Sequence, residues 1–402
     1  MKGFFNLKPT TRTGIFTPTC GQSCTLNKGC HSPKMPVTGK GQMGILVIAE
    51  APGEHEDARN VQLIGPAGQV LRTFLSEYGV DLDRDCRKTN AVRCRPPANR
   101  KPTNVEIEAC QQHIWDEIKE HPPKVILLLG QVALDSFLLD RVRDVGAIGR
   151  WRGFAIPDQK TRCYVVPTFH PSYILRSREA KTRRTATSTV LSAEERVFGL
   201  DIEKALSLVK RHFPVTPTPV IADEWTIKKG DTIAFDYETT GLRPYRKGHR
   251  IVSVGISNGE WCYAGEMTND FARKWKFALQ AEDIKKTAFN MKFEHQWGLW
   301  CLGVETRGWV WDPMIAAHIV DNRRGICSLE FQTYITLGVE TWKTETAGTF
   351  DENEDGFNQY KNEHPTPDLL RRNALDAYYT FLLFPKQWYG FYNDYYPGKL
   401  PF

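Results

Sequence analysis

The stretch FDYETTGL, Phe235 to Leu242, sets the reading of the C-terminal half. It closes a predicted strand, DTIAFDYE (231–238), in which Asp236 and Glu238 are two residues apart and so project to the same side. Two carboxylates held on a rigid strand suit a hard divalent cation, and they equally suit the polar face of an ordinary strand. Three downstream segments weigh toward the cation. FNMKFEHQW (289–297) sets Asn290, Lys292 and Glu294 in an aromatic segment, WDPMIAAHIVDN (311–322) reads as a helix, and RRNALDAYYTFLL (371–383) carries Asp376 on a helical pattern. RIVSVGIS (250–257) reads as a second strand joined to the first in a hairpin-like way. This half is therefore expected to be an α/β domain.

Outward from there the N-terminal half repeats the class with a different order. GILVIAE (44–50), KVILLLG (124–130) and YVVPT (164–168) are short apolar runs of the kind buried on both faces of a parallel sheet. Val70, Leu71, Phe74, Leu75 and Tyr78 recur at helical spacing, and TNVE (103–106) has the form of a capping box opening a helix that carries Cys110, Ile114 and Ile118. RSREAKTRRTATST (176–189) is basic and poor in apolar residues, and is read as a solvated loop. VFGLDIEKALSLVKRHF (197–213) reads as a closing amphipathic helix, and the three prolines of PVTPTPV (214–220) favour an extended connector. The expected division is a first domain over 1–213, a linker over 214–222 and a second domain over 223–402.

With 402 residues, two domains are the default. The net charge of +6 is modest, but the basic residues are clustered, which points to nucleic acid as partner. No run of about twenty apolar residues is present to cross a membrane, and the first residues, MKGFFNLKPTTRTG, lack the apolar stretch of a signal peptide. A soluble, cytoplasmic protein with no membrane partner is expected. Six of the ten cysteines, Cys20, Cys24, Cys30, Cys86, Cys94 and Cys110, lie early in the chain, and without a secretory signal such clustering favours metal over disulfide.

Taken in order, the acidic motifs of residues 223–390 resemble the DEDD 3′–5′ exonucleases, in particular the proofreading domain of family-A DNA polymerases. The Asp-x-Glu-Thr motif is matched by Asp236, Glu238 and Thr239, the Asn-x-Lys-Phe/Tyr-Asp motif by Asn290, Lys292, Phe293 and Glu294, and the final helical aspartate by Asp376. The resemblance implies an RNase H-like fold and phosphodiester hydrolysis with two Mg²⁺ or Mn²⁺ ions held by Asp236, Glu238 and Asp376, with Glu294 completing the catalytic acids and Thr239, Asn290 and Lys292 contacting substrate. Two positions depart from the pattern. Glu294 stands for an aspartate, and Arg372, four residues before Asp376 and so on its helical face, stands where many members carry a water-orienting tyrosine.

Residues 15–213 resemble the iron–sulfur uracil-DNA glycosylases of family 4. The motifs are the Glu-Ala-Pro-Gly loop from Glu50 to Gly53, the Thr-Asn pair ending at Asn90, the cysteines, and the His-Pro-Ser motif opening at His170. The resemblance implies a three-layer fold around a parallel sheet. It implies that Glu50, Glu56 and Asp57 wall the sugar and water, that Asn90 reads the uracil edge, and that His170 stabilises charge on the uracil oxygen. Tyr173, Ile174 and Leu175 would form the loop that extrudes the base. It further implies a [4Fe-4S] cluster on Cys94, Cys110 and an N-terminal pair, chosen as Cys20 and Cys24 with Cys30 in reserve; four thiolates also suit zinc. Leu63 replaces the aromatic residue that stacks on the flipped base, and Ala49 a glycine.

Glycosylase-like and proofreading-like domains in this order resemble the N-terminal part of certain phage family-A DNA polymerases. DNA is the expected partner, and a DNA polymerase or replisome subunit a further one, since the sequence runs only about a dozen residues past the exonuclease pattern. A separate polymerase chain, a standalone nuclease and a fragment of a longer protein all satisfy that observation. Replication or repair of phage DNA in the host cytoplasm is the expected setting, either as an enzyme or as a weakened DNA-binding module serving a polymerase.

Overall fold

The computed structural model describes residues 20–142, 144–184, 191–342, 350–352, 358–360 and 362–395. The chain divides into two compact units, one running up to Val215 with Leu337–Val339, the other comprising Thr216–Thr336 and the chain from Glu340 onward.

The first unit is built on strands β1 (Ile45–Ala49), β2 (Cys86–Asn90), β3 (Val125–Leu129), β4 (Ile156–Asp158) and β5 (Cys163–Thr168) in the order β2-β1-β3-β5-β4. All neighbours are parallel except the edge strand β4. Every residue of β1 and β3 is buried, as their continuous apolar runs require. Their alternate residues Ile45, Val47, Val125 and Leu127 join Leu71, Phe74, Phe198 and Ile202 of the helices Pro66–Ser76 and Ala193–Leu208 in one core. The other sheet face receives the helix Gly130–Leu138, which packs on β1 and β3. The result is the expected three-layer parallel-sheet domain.

Two expectations for this unit are corrected. The basic run from Arg176 through Arg184 is not a loop but lies in the helix Pro171–Arg184, whose first residue is a proline suited to a helix start and whose Arg, Glu, Ala and Lys are good helix formers; residues 185–189 lie outside the described residues. The same helix contains Tyr173, Ile174 and Leu175, so they form no extruding loop. Ile174 is fully buried and Leu175 packs on the core, leaving Tyr173 as the exposed one. The sequence reading also missed β2, whose residues CRKTN are mostly polar; Lys88 is buried there against the Asp83 carboxylate. The TNVE capping box is present, with Thr103 and Glu106 bonding each other's backbone N–H.

The second unit carries β6 (Thr232–Thr239), β7 (Ile251–Ser257), β8 (Cys262–Glu266), β9 (Lys285–Thr287) and β10 (Trp309–Trp311) in the order β10-β9-β6-β7-β8. The β6-β7-β8 meander is antiparallel, while β9 and β10 join in parallel, which gives the RNase H-like sheet. Phe235 and Tyr237 turn to one face against Trp275, Trp297 and Trp309, so Asp236 and Glu238 turn to the other. That second face is covered by the helix Pro367–Tyr395. Gly255, opposite Asp236 in the ladder, makes this possible: a Cβ there would lie 2.1 Å from the Asn373 carbonyl oxygen on the helix. Among the described residues no helix is long and apolar enough to cross a membrane.

Candidate functional sites

In the second unit, ligand oxygens of Asp236, Glu238 and Asp376 all lie within 4.8 Å of one another. The strand supplies two and the helix the third, and the ladder slips by a residue just after Glu238, where a bulge re-aims the chain. Each acid has a protein partner. Asn373 Nδ2 donates to Asp236 Oδ2 at 2.8 Å, Trp342 Nε1 donates to Asp376 Oδ1 at 2.7 Å, and Arg372 Nε lies 3.4 Å from Glu238 Oε1 and 3.7 Å from Asp376 Oδ2. Burial works against the Arg372 charge, yet the carboxylates of Glu238, Asp376 and Asp236 together hold its pKa above the usual value. The guanidinium thus sits among the acids as an internal counter-cation.

Glu294 stands beside the trio rather than in it. It is 2% exposed, and burial first, then the neighbouring Asp236 charge, push its carboxyl well above the usual range. Its Oε2 has no hydrogen-bond partner among the described residues. A buried carboxyl beside an acidic trio is what a second cation would neutralise, so the donor set fits divalent metal. Thr239 Oγ1 donates to the Gly241 carbonyl at 2.7 Å, and Lys292 is exposed. Asn290 adopts left-handed backbone (φ 72°), held by Asp312, whose carboxylate accepts from the N–H of Asn290 and Met291 while capping the helix Pro313–Val320. Asp312, Trp342 and Asn373 were not singled out from the sequence; Asn373, three residues before Asp376 on a helix, was the one open to discovery by spacing.

In the first unit the parallel strands end together. Ala49 pairs with Asn90 and Leu129 with Thr168, so Glu50, Asn90, Gly130 and His170 follow along one edge, at the carboxyl ends where open α/β sheets bind ligands. Gly130 has φ +84°, and a Cβ on it would come within 2.7 Å of the His170 Cβ, so only glycine lets the two chain turns meet. His170 Nδ1 accepts from the Ser172 N–H at 3.2 Å and contacts Ser172 Oγ at 2.8 Å. Burial, helped by Arg176, lowers its pKa to about 4, so the ring is neutral at pH 7 with its proton on Nε2. Asn90 is 3% exposed, and its Nδ2 has no partner among the described residues. Burial raises the Glu50 carboxyl above the usual range against the opposing pull of Lys101 and Arg176.

Three residues assigned to the pocket from the sequence have other partners. Glu56 Oε1 accepts from the N–H of Ile64 and Gly65 at 3.1 and 2.7 Å, so it braces the following loop. Asp57, 1% exposed, accepts from the N–H of His31 and Ser32 at 3.1 and 2.8 Å, so it pins the cysteine-bearing segment. Leu63 has a left-handed backbone (φ 55°) and lies in the apolar core rather than offering a stacking face.

The cysteines gather on one apolar cluster: Cys24 and Cys94 are buried in it, with Cys30 and Cys110 packed against it, while Cys20 is exposed, its backbone paired with that of Cys24 and both thiols free. Backbone N–H groups of Lys34 and Arg93 point at the sulfurs of Cys94 and Cys110 at 3.2 and 3.5 Å. Burial raises the Cys24 and Cys110 thiols and pushes Cys94, which Cys30 also hydrogen-bonds, up to about 12. A bound metal would keep such thiols ionised, so their chemistry fits a thiolate-held group. The acidic trio, not the cysteines, is the group already at ligand spacing among the described residues.

Comparison with known proteins matches each half of the chain to a family. Residues 36–191 match the uracil DNA glycosylase superfamily, and residues 224–388 match a 3′–5′ exonuclease family of the DNA polymerase A type. The type-4 uracil-DNA glycosylase of Thermotoga maritima is 38% identical over 177 residues, covering 44% of this chain and 83% of that protein. The chain therefore belongs, through its N-terminal half, to the uracil-DNA glycosylase family and carries an exonuclease domain after it. The DNA polymerase of Bacillus phage SP01 is a homologue across both domains, 24% identical over 379 residues; these cover 86% of this chain but only 39% of that polymerase. A solved structure of Brucella melitensis NrnC with bound Mg²⁺ is 18% identical, with a TM-score of 0.34, covering 44% of this chain and 81% of that one.

Proposed function

We propose that the chain is a metal-dependent 3′–5′ DNA exonuclease of the proofreading type joined to a uracil-DNA-glycosylase domain, serving phage DNA replication or repair. The observation that carries the nuclease reading is the convergence of Asp236, Glu238 and Asp376 to within 4.8 Å from a strand and a helix. These three would hold Mg²⁺ or Mn²⁺, which supplies an activated water and charge neutralisation at the leaving 3′ oxygen. Glu294, adjacent and with its carboxyl raised by burial and by the Asp236 charge, would ionise more readily as cations enter.

In the first domain, the neutral His170 offers an Nε2–H donor to a uracil oxygen as charge develops there, and the Asn90 amide supplies a donor for the base edge. Cys94 and Cys110 with two of Cys20, Cys24 and Cys30 would hold a [4Fe-4S] cluster, whose part is to tie the N-terminal segment to the domain. The DNA polymerase partner and cytoplasmic site belong to the same reading.

A second reading, a catalytically weakened module that holds DNA for a polymerase, is favoured by Arg372 among the acids and by Leu63 in the core. One paired assay separates the two. A 5′-labelled primer with Mg²⁺ or Mn²⁺ should lose nucleotides from its 3′ end, and Asp236→Ala should stop this; a uracil-containing strand should break on alkali treatment. DNA binding with neither product selects the second reading.

A further inference from the structure

Ser253 on β7 lies directly opposite Glu238 in the ladder, two residues along from the pair formed by Gly255 and Asp236, so all four turn to the face that the helix Pro367–Tyr395 covers. Ser253 and Asn373 are both fully buried there. Ser253 Oγ donates to Asn373 Oδ1 at 2.9 Å, and Asn373 Nδ2 donates in turn to the Asp236 carboxylate Oδ2 at 2.8 Å and to the Asp236 main-chain carbonyl at 3.1 Å. The amide thus has a partner at its acceptor end and at its donor end. Turned over, it would set its oxygen against two acceptors of Asp236, so its neighbours fix its orientation. Without the Ser253 hydroxyl, the Asn373 oxygen would be buried and unmet.

These bonds grip the side chain and the backbone of Asp236 at once, from a residue three positions before Asp376 and so on the same helical face. One amide therefore sets where the strand acid stands relative to the helix acid, and a serine on the neighbouring strand sets the amide. We propose that Asn373 and Ser253 are positioning residues for the metal-dependent reaction: Asn373 holds the Asp236 carboxylate in the place that a small octahedral cation requires, and Ser253 acts through Asn373. The inference rests on the exonuclease reading and adds to it the groups that hold a metal ligand still. Mg²⁺ demands near-ideal octahedral geometry at about 2.0–2.1 Å, whereas Ca²⁺ accepts about six to eight oxygens in adaptable arrangements. A carboxylate released from its clamp is therefore a greater loss to Mg²⁺ than to Ca²⁺.

The full chain, dialysed free of divalent ions, is titrated calorimetrically with Mg²⁺ and separately with Ca²⁺, and Asp236→Ala marks which heat belongs to the site. Asn373→Ala should weaken Mg²⁺ binding by about tenfold or more, the usual cost of losing a group that orients a ligand, and Ca²⁺ binding by less than about threefold. The milder Ser253→Ala should shift the ratio of the two affinities in the same direction, and it decides alone if Asn373→Ala does not fold. The double variant should bind Mg²⁺ no more weakly than Asn373→Ala does. A merely structural role lowers both ions alike. Unchanged Mg²⁺ affinity, equal losses for the two ions, or additive losses in the double variant overturns the proposal. A chain that shows the shift in ratio yet never shortens a 5′-labelled primer sinks the nuclease reading alone. One that shortens the primer while both variants keep the ratio sinks the positioning alone, and a chain with no heat that Asp236→Ala removes sinks both.

Discussion

Arg372 Nε lies 3.4 Å from Glu238 Oε1, so a fixed positive charge touches the acid that a cation would need. Metal and guanidinium compete for the same oxygens. Arg372→Ala should bind Mn²⁺ at least about tenfold more tightly, because the metal no longer has to displace a cation paired with Glu238 and Asp376. Its melting temperature in EDTA should fall, because three carboxylates are left facing one another, and should recover with Mn²⁺. Calorimetric titration and thermal melts check both, and equal Mn²⁺ affinity in the two proteins refutes the competition.

Gly255 separates β7 from the covering helix by having no side chain. Gly255→Ala forces a carbon to within 2.1 Å of the Asn373 carbonyl, so the helix must move away from the strand that bears Asp236. Overpacking of this kind costs about 1–3 kcal/mol. Stability should drop by that amount in urea, and Mn²⁺ binding should weaken with it, since Asp376 rides on the displaced helix.

His170 sets a pH dependence of definite sign. Its pKa falls to about 4 in the fold from an ordinary value near 6.5, so the unfolded chain takes up a proton that the folded one refuses. The stability contributed by the neutral ring is complete above about pH 6.5 and is lost as pH falls toward about 4. His170→Gln should flatten stability over that window, while uracil excision should decline by about a hundredfold, the usual loss for one donor to developing charge. A decline in stability on acidification that is the same in both proteins would assign it to other groups.

The cysteines yield a count. Cys94→Ser and Cys110→Ser should each abolish iron and the visible absorption of the anaerobically purified protein. Of Cys20→Ser, Cys24→Ser and Cys30→Ser, two should abolish it and one should not, which names the remaining two ligands; stoichiometric zinc without iron in the unaltered chain would reject the cluster.

Much of this was legible in the sequence where local pattern and packing agree. β1 and β3 are apolar runs buried on both faces, and Asp236 and Glu238 share a side by strand alternation. Legibility failed where tertiary contacts decide. β2 tolerates its polar residues because buried Lys88 reaches the half-exposed Asp83 carboxylate at the surface, and the 176–184 segment is helical because its charged residues are good helix formers whatever their polarity. Glu56 and Asp57 sit in a motif but bond the chain's own backbone, something no spacing reveals. Trp342 reaches Asp376 across 34 positions, beyond any periodic signal.

Asp57 joins two stories that the chain keeps far apart in sequence. Its carboxylate grips the backbone at His31 and Ser32 from the helix that leaves the Glu50 loop. Any loosening of the cysteine-bearing segment would therefore be felt at the Glu50 loop through a single carboxylate, 25 and 26 residues away in sequence from the backbone it holds.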